Sequence, residues 1–325
     1  MDDYKGIGGL RLADAPDPIP QPDEVILEVH YAALNPADAY LAENQYPAKP
    51  RLPHILGRDG VGRVVARGSA AADVGLGERR AILLCEAGIN QPGTFAQRVA
   101  VPTQNLVEIP AGWSEPEAAG ATLVYLTAYQ ALTMWGPLPP SAVVLVTGAS
   151  GGVGVAAVQL AAAMGHKVVA LSRSAEKSRR LEQLGAAATF NPEDPKWGLA
   201  LKSALEPRRV DLAIDNIGGK LLPQVISTLG DLGRVSLVGR LAGPVPNFNT
   251  ATLFFRRNRL GGVAANAGTN AESHAAWQEI LKLLARAGVR PQVDKVFPFD
   301  QLPQAFERLA QGPMGKVLVA VKPAG

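Results

Sequence analysis

The amino-acid sequence predicts an α/β protein in which a barrel-like β region is joined to a doubly wound parallel sheet. The first observation is a β-branched run, Val143–Val146, that leads through small residues into an Ala-rich helical run, Val155–Met164. The second is a regular alternation of strand-like and helix-like runs that continues to about residue 263. The third is a series of short strand-like runs between residues 10 and 107, which prolines and glycines separate.

The turn between that strand and that helix has the pattern of a phosphate-binding loop. The spacing is Ala149-x-Gly151-x-x-Gly154, with alanine where the common dinucleotide-binding pattern has its first glycine. A helix N-terminus offers unpaired N–H groups and the positive end of its dipole to a pyrophosphate. Gly151 lets the backbone approach that pyrophosphate, and Gly154 lets the helix pack close to the strand. We therefore predict a nucleotide site rather than a ligand-free turn, with contacts from Ala149, Ser150, Gly151, Gly152, Val153 and Gly154.

The other predicted elements follow the same plan along the chain. The barrel-like region has strands near Val25–Tyr31, Gly60–Ala66, Arg79–Leu84 and Gly93–Val101. The parallel sheet has six strands, at Val143–Val146, Val168–Leu171, Ala188–Phe190, Leu212–Ile214, Arg234–Val238 and Arg259–Val263. Helices are expected afterwards at His274–Arg286 and Gln301–Gln311, and strands at Val296 and Lys316–Val321.

A chain of 325 residues is too long for one ordinary core, which predicts two domains. Near Ser114 the short strand-like runs give way to alternating strand-like and helix-like runs. Ser114 and Glu117 form the pattern of a helix-capping box there. We expect one domain over residues 118–265, which would hold the nucleotide, and another over residues 1–117 and 266–325. The C-terminal part is too small to fold alone, so we expect it to pack on the N-terminal part.

The composition is that of a globular chain without a marked preference for nucleic acid or membrane. Hydrophobic residues make up 47% and charged residues 19% of the chain, and the formal net charge is +3. No dense run of Lys and Arg is present, so nucleic-acid binding is not expected. Cys85 is the single cysteine, which excludes an intramolecular disulfide and is typical of a reducing compartment. The sequence shows neither a signal peptide nor an apolar run of transmembrane length, which predicts a cytoplasmic protein.

The end of the second sheet strand predicts which dinucleotide is bound. An NAD-binding chain has an acidic residue about twenty residues past the glycine turn, where it binds the ribose 2′-hydroxyl. This chain has Ser172 and Arg173 there, with Lys177 one helical turn later. A hydroxyl and two cations suit a 2′-phosphate, which carries up to two negative charges. We therefore predict NADPH, and the alternative is a capped helix start with solvated charges.

Several motifs in a fixed order carry a family resemblance over nearly the whole chain. They are Leu34-Asn-Pro-Ala-Asp-Ala-Tyr40, Leu56-Gly-Arg-Asp-Gly-Val-Gly62, Leu126-Thr-Ala-Tyr129, Ala149–Gly154 with Gln159, Asp215-Asn-Ile-Gly-Gly219 and Gly315-Lys-Val-Leu-Val319. With them the chain resembles the zinc-free, zeta-crystallin-like NADPH:quinone oxidoreductases of the medium-chain dehydrogenase/reductase superfamily. The resemblance implies a GroES-like β-barrel catalytic domain and a Rossmann domain with a six-stranded parallel sheet.

Zinc-dependent alcohol dehydrogenases of that superfamily need a catalytic Cys, a His in a Gly-His-Glu run and often four further cysteines. The aligned run here is Gly57-Arg58-Asp59, Cys85 is the single cysteine, and the four histidines are scattered. Zinc takes three or four ligands of the Cys, His and carboxylate kind, so no metal is expected. The resemblance then implies hydride transfer to a quinone or an enone, whose conjugated carbonyl spreads the incoming charge while a hydrogen-bond donor stabilises the oxyanion.

The resemblance also implies the catalytic residues. Asn35, Tyr40 and Tyr46 align with polar residues that line the nicotinamide cleft in the family. Asn35 and Thr127 are expected to contact the nicotinamide or its ribose, and Tyr46 to orient the substrate. Either Tyr46 or water would donate the proton. Tyr125 stands where the family commonly has glycine, and its ring is expected to narrow the cleft.

Further cofactor contacts are expected at the carboxyl ends of strands, where doubly wound sheets bind their ligands. These residues are Asn191, Asn216, Val238 and Gly239. Lys316 stands where the family often has a basic residue that faces the cleft, and a solvated lysine at the start of a strand is the alternative.

Two other functions fit the same residues: a non-catalytic, NADPH-binding protein with a structural or RNA-associated role, and a reductase module of a multidomain synthase. The weak net charge counts against the RNA role.

The sixth sheet strand, residues 259–263, would lie at an open edge with unpaired N–H and C=O groups. Pairing with the same strand of a second copy across a two-fold axis covers both edges, so we predict a homodimer.

Overall fold

The computed structural model describes residues 1–245 and 248–322, and it divides into two compact units. The first unit contains Met1–Leu123, Gly268–Ala275 and the chain from Arg290 onward. The second unit contains Val124–Ala267 and Ala276–Val289. Each unit has its own sheet and its own buried core, and each is described by itself.

The described residues form strands and helices in the following order. The strands are β1 (Glu24–Ala33), β2 (Asp59–Arg67), β3 (Arg79–Ile82), β4 (Arg98–Pro102), β5 (Leu106–Glu108), β6 (Val143–Val146), β7 (Lys167–Leu171), β8 (Ala188–Phe190), β9 (Val210–Asp215), β10 (Leu229–Leu237), β11 (Arg259–Gly262), β12 (Val293–Pro298) and β13 (Lys316–Ala320). The α-helices are α1 (Pro36–Ala42), α2 (Glu115–Ala119), α3 (Thr122–Thr133), α4 (Gly152–Ala163), α5 (Ala175–Gln183), α6 (Trp197–Leu205), α7 (Leu221–Thr228), α8 (Ala251–Phe254), α9 (Asn270–Ala287) and α10 (Leu302–Ala310).

The sheet of the first unit is built around β1, which pairs antiparallel with β2, β4 and β13. The strand order is β12-β13-β1-β2-β3-β5, and β4 joins the sheet through β1. Successive side chains of a strand point to opposite faces, and nearly all of those on β1 are buried. Both faces of this strand are therefore covered. The first unit is the predicted GroES-like β domain.

The sheet of the second unit is parallel throughout, with the strand order β11-β10-β9-β6-β7-β8. When the six strands are numbered 1 to 6 along the chain and the sheet is read from β8 to β11, the order is 3-2-1-4-5-6, that of a doubly wound nucleotide-binding sheet. β6 lies at its centre, and all four of its side chains have no exposed surface. A strand that helices cover on both faces must be apolar at every position, which explains the run Val143–Val146. The predicted six-stranded Rossmann domain is confirmed.

One predicted strand of the barrel is wrong over half of its length. β4 begins at Arg98, whereas the sequence suggested a strand from Gly93 to Val101. The amides of Gly93, Thr94 and Phe95 instead donate to carbonyls of the segment Ile55–Gly57. Two irregular segments therefore bond to each other outside the sheet, an arrangement that alternation of apolar and polar residues does not reveal. The short strand β5 was not predicted.

The unit boundaries differ from the predicted domains by a few residues at 118–123 and 266–267, and by one longer segment. The prediction placed all of residues 266–325 with the β domain, whereas Ala276–Val289 belongs to the second unit. This segment holds most of α9, and the guanidinium of Arg286 donates to the carbonyl of Ala163 at 2.7 Å, at the end of α4. The apolar face of α9, with Trp277, Ile280 and Leu284, is buried. An amphipathic pattern predicts such a face, but it does not specify which core receives it.

Candidate functional site

The turn that follows β6 leaves backbone amides without partners inside the helix. α4 begins at Gly152, and its first backbone hydrogen bond runs from Val155 N to Gly151 O at 2.8 Å. The amides of Gly152, Val153 and Gly154 precede that bond, so the helix itself does not use them. Ser150, Gly151, Gly152 and Val153 are half-buried, which leaves this end of the helix within reach of a ligand.

Three glycines of this turn serve different purposes. Gly148 has φ +56°, a conformation that suits glycine, while Ala149 is fully buried with φ outside the left-handed region. A Cβ on Gly154 would lie 2.3 Å from Gly148 O, so only glycine lets α4 approach the end of β6. A Cβ on Gly151 would have its nearest protein neighbour, Gly148 O, at an ordinary 3.5 Å. Protein packing does not require glycine at position 151, and a missing Cβ at this point of a dinucleotide-binding turn lets a pyrophosphate approach the backbone.

The residues at the end of β7 form an N-capped helix start. The Ser172 hydroxyl is buried, donates to Ser174 O at 3.2 Å and accepts from Ser174 N at 3.3 Å. The Ser174 hydroxyl in turn accepts from the Lys177 amide at 3.3 Å and caps α5. Arg173 is exposed and lies 3.6 Å from the equally exposed carboxylate of Glu193. An exposed ion pair contributes little to stability, so Arg173 can exchange this partner for a phosphate.

The remaining strand-end residues are organised by Asp215, whose role the sequence did not reveal. The Asp215 carboxylate accepts from the Thr147 hydroxyl at 2.6 Å, and its backbone carbonyl accepts from the amides of Val238 and Gly239 at 2.9 and 3.2 Å. Asn216 donates from Nδ2 to Thr147 O at 2.7 Å. Burial raises the pKa of the Asp215 carboxyl, and the bonds from Thr147 and neighbouring amides act in the opposite direction. The ends of β6, β9 and β10 are thereby tied together.

Three other residues of the second unit have more local surroundings. Asn191 is exposed, and its Oδ1 accepts from the Glu193 amide at 3.0 Å. Thr127 is buried on α3. Tyr125 is also buried on α3, and its hydroxyl bonds to the Gln159 side chain of α4. Tyr125 is 1% exposed, and the expectation that its ring narrows a cleft stays a prediction.

In the first unit, Asn35 lies in a buried polar network. Its Nδ2 donates to Asp59 Oδ2 at 2.9 Å and to Ala33 O at 3.4 Å. The ammonium of Lys316 donates to Asn35 Oδ1 at 2.7 Å, to Leu34 O at 2.9 Å and to Asp59 Oδ2 at 3.2 Å. All three N–H groups of the lysine thus have acceptors. Lys316 is buried rather than solvated, so the alternative of a solvated lysine is wrong, and its geometry is that of a residue that positions Asn35.

A second buried pair connects this network to Tyr46. Arg58 donates from Nε to Asp38 Oδ1 at 3.0 Å and from Nη1 to the Tyr46 hydroxyl at 3.3 Å. The guanidinium carbon lies 4.9 Å from the centre of the Tyr46 ring. The other carboxylate oxygen of Asp38 accepts from the backbone amide of Asn35 at 2.9 Å. The structure therefore connects Asn35 and Tyr46 through Asp38 and Arg58. Tyr40 is half-buried on the short helix α1, which also carries Asp38.

The family motifs contain Asp38 and Asp59, and Arg58 was noted only as a departure from the zinc pattern. The structure places all three in the network. One signal was available, since Arg58 and Asp59 follow Ile55-Leu56-Gly57 in a segment without helical or strand periodicity. Charged residues in such a segment are exposed by default, so their burial could not be predicted from pattern alone.

Neither a metal cluster nor a membrane span is found where the structure describes the chain, residues 1–245 and 248–322. Over these ranges no group of three or more His, Cys, Asp and Glu side chains is arranged to hold a metal ion. Over the same ranges, every helix is too short or too polar to cross a bilayer. Cys85 is half-buried, and burial raises the pKa of its thiol to about 11.

Comparison with known proteins identifies the family. Residues 21–111 match the family model of the alcohol dehydrogenase GroES-like domain, and residues 152–286 match that of the zinc-binding dehydrogenases. The chain is 28% identical to the quinone oxidoreductase of Lama guanicoe, over 99% of this chain and 96% of that protein. It is 29% identical to the human synaptic vesicle membrane protein VAT-1 homolog, over 98% of this chain and 85% of that protein.

A solved structure of an NAD-dependent alcohol dehydrogenase superposes with a TM-score of 0.89 at 29% identity, covering 98% of this chain and 97% of that one. Both units of the fold and the glycine turn agree with these matches. The chain belongs to the medium-chain dehydrogenase/reductase superfamily. Its relatives include proteins named quinone oxidoreductase, which are 26–28% identical to this chain.

The two glycines of the turn give a matched pair of substitutions. Gly154→Ala places a Cβ 2.3 Å from Gly148 O, and such overpacking typically costs about 1–3 kcal/mol of unfolding free energy. Gly151→Ala meets no such atom, and its φ of −72° suits alanine, so the free energy of unfolding should stay the same or rise by about 0.4–1 kcal/mol. Both variants should lose affinity for NADPH. Chemical denaturation and NADPH titration together check this, and undiminished NADPH binding by Gly151→Ala would contradict the site.

Proposed function

We propose that the protein reduces quinones or other conjugated carbonyls (enones) with NADPH, by direct hydride transfer and without zinc. The observation that carries this proposal is the glycine turn, where free amides of α4 stand beside the space left open at Gly151. The relatives named quinone oxidoreductases, which match over almost the full chain, support the choice of substrate.

Residues of the second unit bind the cofactor in this proposal. The amides of Gly152, Val153 and Gly154 hold the pyrophosphate at the positive end of α4. Ser172, Arg173 and Lys177 hold the 2′-phosphate, because none of the three is an acid that would repel it. Thr127, Asn191, Asn216, Val238 and Gly239 complete the set of contacts. When bound, NADPH supplies a hydride, which reduces the acceptor by two electrons.

Residues of the first unit bind the acceptor. Tyr46 orients it and offers a hydroxyl whose oxygen already accepts a hydrogen bond from Arg58, which leaves its own hydrogen for the substrate. Asn35 has both amide hydrogens engaged, so only a lone pair of its Oδ1 is available to the nicotinamide amide or ribose. Lys316 and Asp59 position that oxygen. Tyr40, on α1, lines the site at which the acceptor binds.

Zinc independence is supported by the residues that occupy the metal-binding positions. Arg58 stands where zinc-dependent members have the histidine of the Gly-His-Glu run, and a guanidinium is no metal ligand at neutral pH. Its bonds to Asp38 and Tyr46 engage it further. The reaction therefore depends on hydrogen bonding rather than on a Lewis acid.

Turnover by the purified protein tests the proposal. We expect NADPH oxidation with a panel of quinones and α,β-unsaturated ketones, and no activation by added zinc. Absence of turnover above the protein-free blank with every acceptor would leave the protein as a non-catalytic NADPH-binding member of its family.

Arg173→Ala tests the choice of cofactor. The substitution should raise the dissociation constant of NADPH by about tenfold, or about 1.4 kcal/mol, and leave that of NADH unchanged, because only NADPH carries the 2′-phosphate. Arg179→Ala removes the same charge from an exposed position of α5 and serves as the control. Isothermal calorimetry gives both constants, and equal losses for the two cofactors would refute the 2′-phosphate contact.

We also propose a homodimer through the edge strand at residues 259–263. β11 ends the sheet of the second unit and, among the described strands, pairs only with β10. Phe254 and Phe255 precede it and are 63% and 80% exposed, which is unusual for large apolar side chains in water. A partner that covers both the strand edge and this phenylalanine pair removes two unfavourable exposures at once.

Light scattering after size-exclusion chromatography should give twice the chain mass of 34.1 kDa. Phe255→Ser should shift the equilibrium toward monomer, because the interface loses an apolar side chain. Leu76→Ser changes an equally apolar residue, 62% exposed in the other unit, and should have no effect on mass. A monomer mass for the unmodified protein would rule out the dimer.

A further inference from the structure

Arg58 has a hydrogen-bond donor that the protein does not satisfy. The residue is 8% exposed, and its Nη2 is buried without a hydrogen-bond partner. The same guanidinium is otherwise fully engaged, through Nε with Asp38 and through Nη1 with Tyr46. Leaving a buried donor unpaired is costly, especially on a charged group, so native proteins nearly always provide an acceptor. Since no atom of residues 1–245 and 248–322 serves here, we assign the acceptor to a ligand or to water.

The charge on this guanidinium is permanent. Burial opposes it, but the Asp38 carboxylate and the Tyr46 hydroxyl outweigh that effect and raise the pKa of Arg58 above its usual value. Asp38 has no exposed surface and is itself held by the Asn35 amide. The Nη2 group therefore donates a hydrogen bond without ever releasing its proton. Such a donor suits an oxygen that gains negative charge during a reaction.

Tyr46 provides a second donor next to the first. Its ring lies under the guanidinium, with 4.9 Å between the guanidinium carbon and the ring centre. Because its oxygen accepts from Nη1, its own hydrogen is free for another acceptor. Cation–π stacking and the hydrogen bond fix the two side chains as one pair. A carbonyl oxygen has two lone pairs and can accept from both donors.

We propose that Arg58 is a catalytic residue whose Nη2 donates a hydrogen bond to the carbonyl oxygen of the conjugated acceptor. The inference rests on the proposed reductase function. As a hydride adds its electron pair to the conjugated carbon, the π electrons move onto the carbonyl oxygen, which becomes an anion. Arg58 stabilises that anion, and Tyr46 or water then supplies the proton. The acceptor gains one hydride and one proton, and NADPH becomes NADP⁺.

This role also explains why arginine stands where zinc-dependent members of the superfamily have the histidine of the Gly-His-Glu run. A guanidinium at the position of the Gly-His-Glu histidine supplies positive charge to a carbonyl oxygen without a metal. A lysine also has three donors, but they all lie on one nitrogen, whereas the planar guanidinium spreads its donors over three nitrogens in fixed directions. The need for three bonds in fixed directions explains arginine here.

Arg58→Lys is the first test, because it keeps a cation beside Asp38 and removes Nη2. We expect kcat/KM for quinones to fall by about 100-fold or more, as on loss of an oxyanion-stabilising donor. The dissociation constant of NADPH should stay within about twofold, because Arg58 is not one of the residues that we propose to contact the cofactor. As a readout besides turnover, 4-nitrophenolate serves as an unreactive oxyanion, and its affinity for the NADP⁺-bound protein should fall by about tenfold.

The double variant Arg58→Gln with Asp38→Asn guards against unfolding, because it removes both buried charges together and leaves no unpaired charge in the core. It should show the same losses with an unchanged NADPH affinity. Arg63→Gln is the control, since this half-exposed arginine pairs with Glu28 on β1, away from the network, and should leave turnover and probe binding unchanged.

The outcomes separate the two proposals. If the folded variants keep turnover and bind the phenolate within about twofold of the unmodified protein, Arg58 only braces Asp38 and Tyr46, and the inference is overturned. If the unmodified protein reduces no acceptor yet binds 4-nitrophenolate through Arg58, the oxyanion site stands and the reductase function fails.

Discussion

The close approach of α4 to the end of β6 is the constraint on which the second unit depends. A Cβ at Gly154 would lie 2.3 Å from Gly148 O, so the helix can start where it does only because that atom is missing. This start sets the amides of Gly152–Gly154 at the centre of the sheet's carboxyl edge, where Asp215 ties the neighbouring strand ends together. In our proposal the helix N-terminus binds the anion because this packing leaves its first amides available, and the missing Cβ of Gly151 lets the anion approach the backbone.

In the first unit, buried ion pairs position the residues of the predicted site. Asp38 with Arg58 and Asp59 with Lys316 are two buried ion pairs of this unit. Well-packed apolar residues would often be at least as stabilising, whereas loss of one partner typically costs about 3–5 kcal/mol. Their value is therefore geometric: each holds a residue of the predicted site, Tyr46 in one case and Asn35 in the other. Among the described residues, the buried Nη2 of Arg58 has no protein acceptor, and the hydroxyl hydrogen of Tyr46 is also left for a ligand.

Much of the fold could be predicted from the sequence, because its signals are local. Apolar runs such as Val143–Val146 specify buried parallel strands, and the strand–turn–helix order identifies the dinucleotide unit. The pairing of Thr94 with the segment Ile55–Gly57 could not be predicted, since hydrogen bonds between two irregular segments leave no periodic trace. The site was predicted for Asn35 and Tyr46 through family motifs, but Arg58 was missed because burial of a charge depends on partners far away in the sequence.

The central claim is that the glycine turn and the cations after β7 form an NADPH site. Titration of the unmodified protein with NADPH and NADH at fixed ionic strength tests it most directly, by calorimetry or tryptophan fluorescence. The account predicts tighter binding of NADPH by about tenfold or more, worth roughly 1.4 kcal/mol. Equal affinity would show that Arg173 and Lys177 are only solvated surface, and binding of neither nucleotide would contradict the assignment of the turn itself.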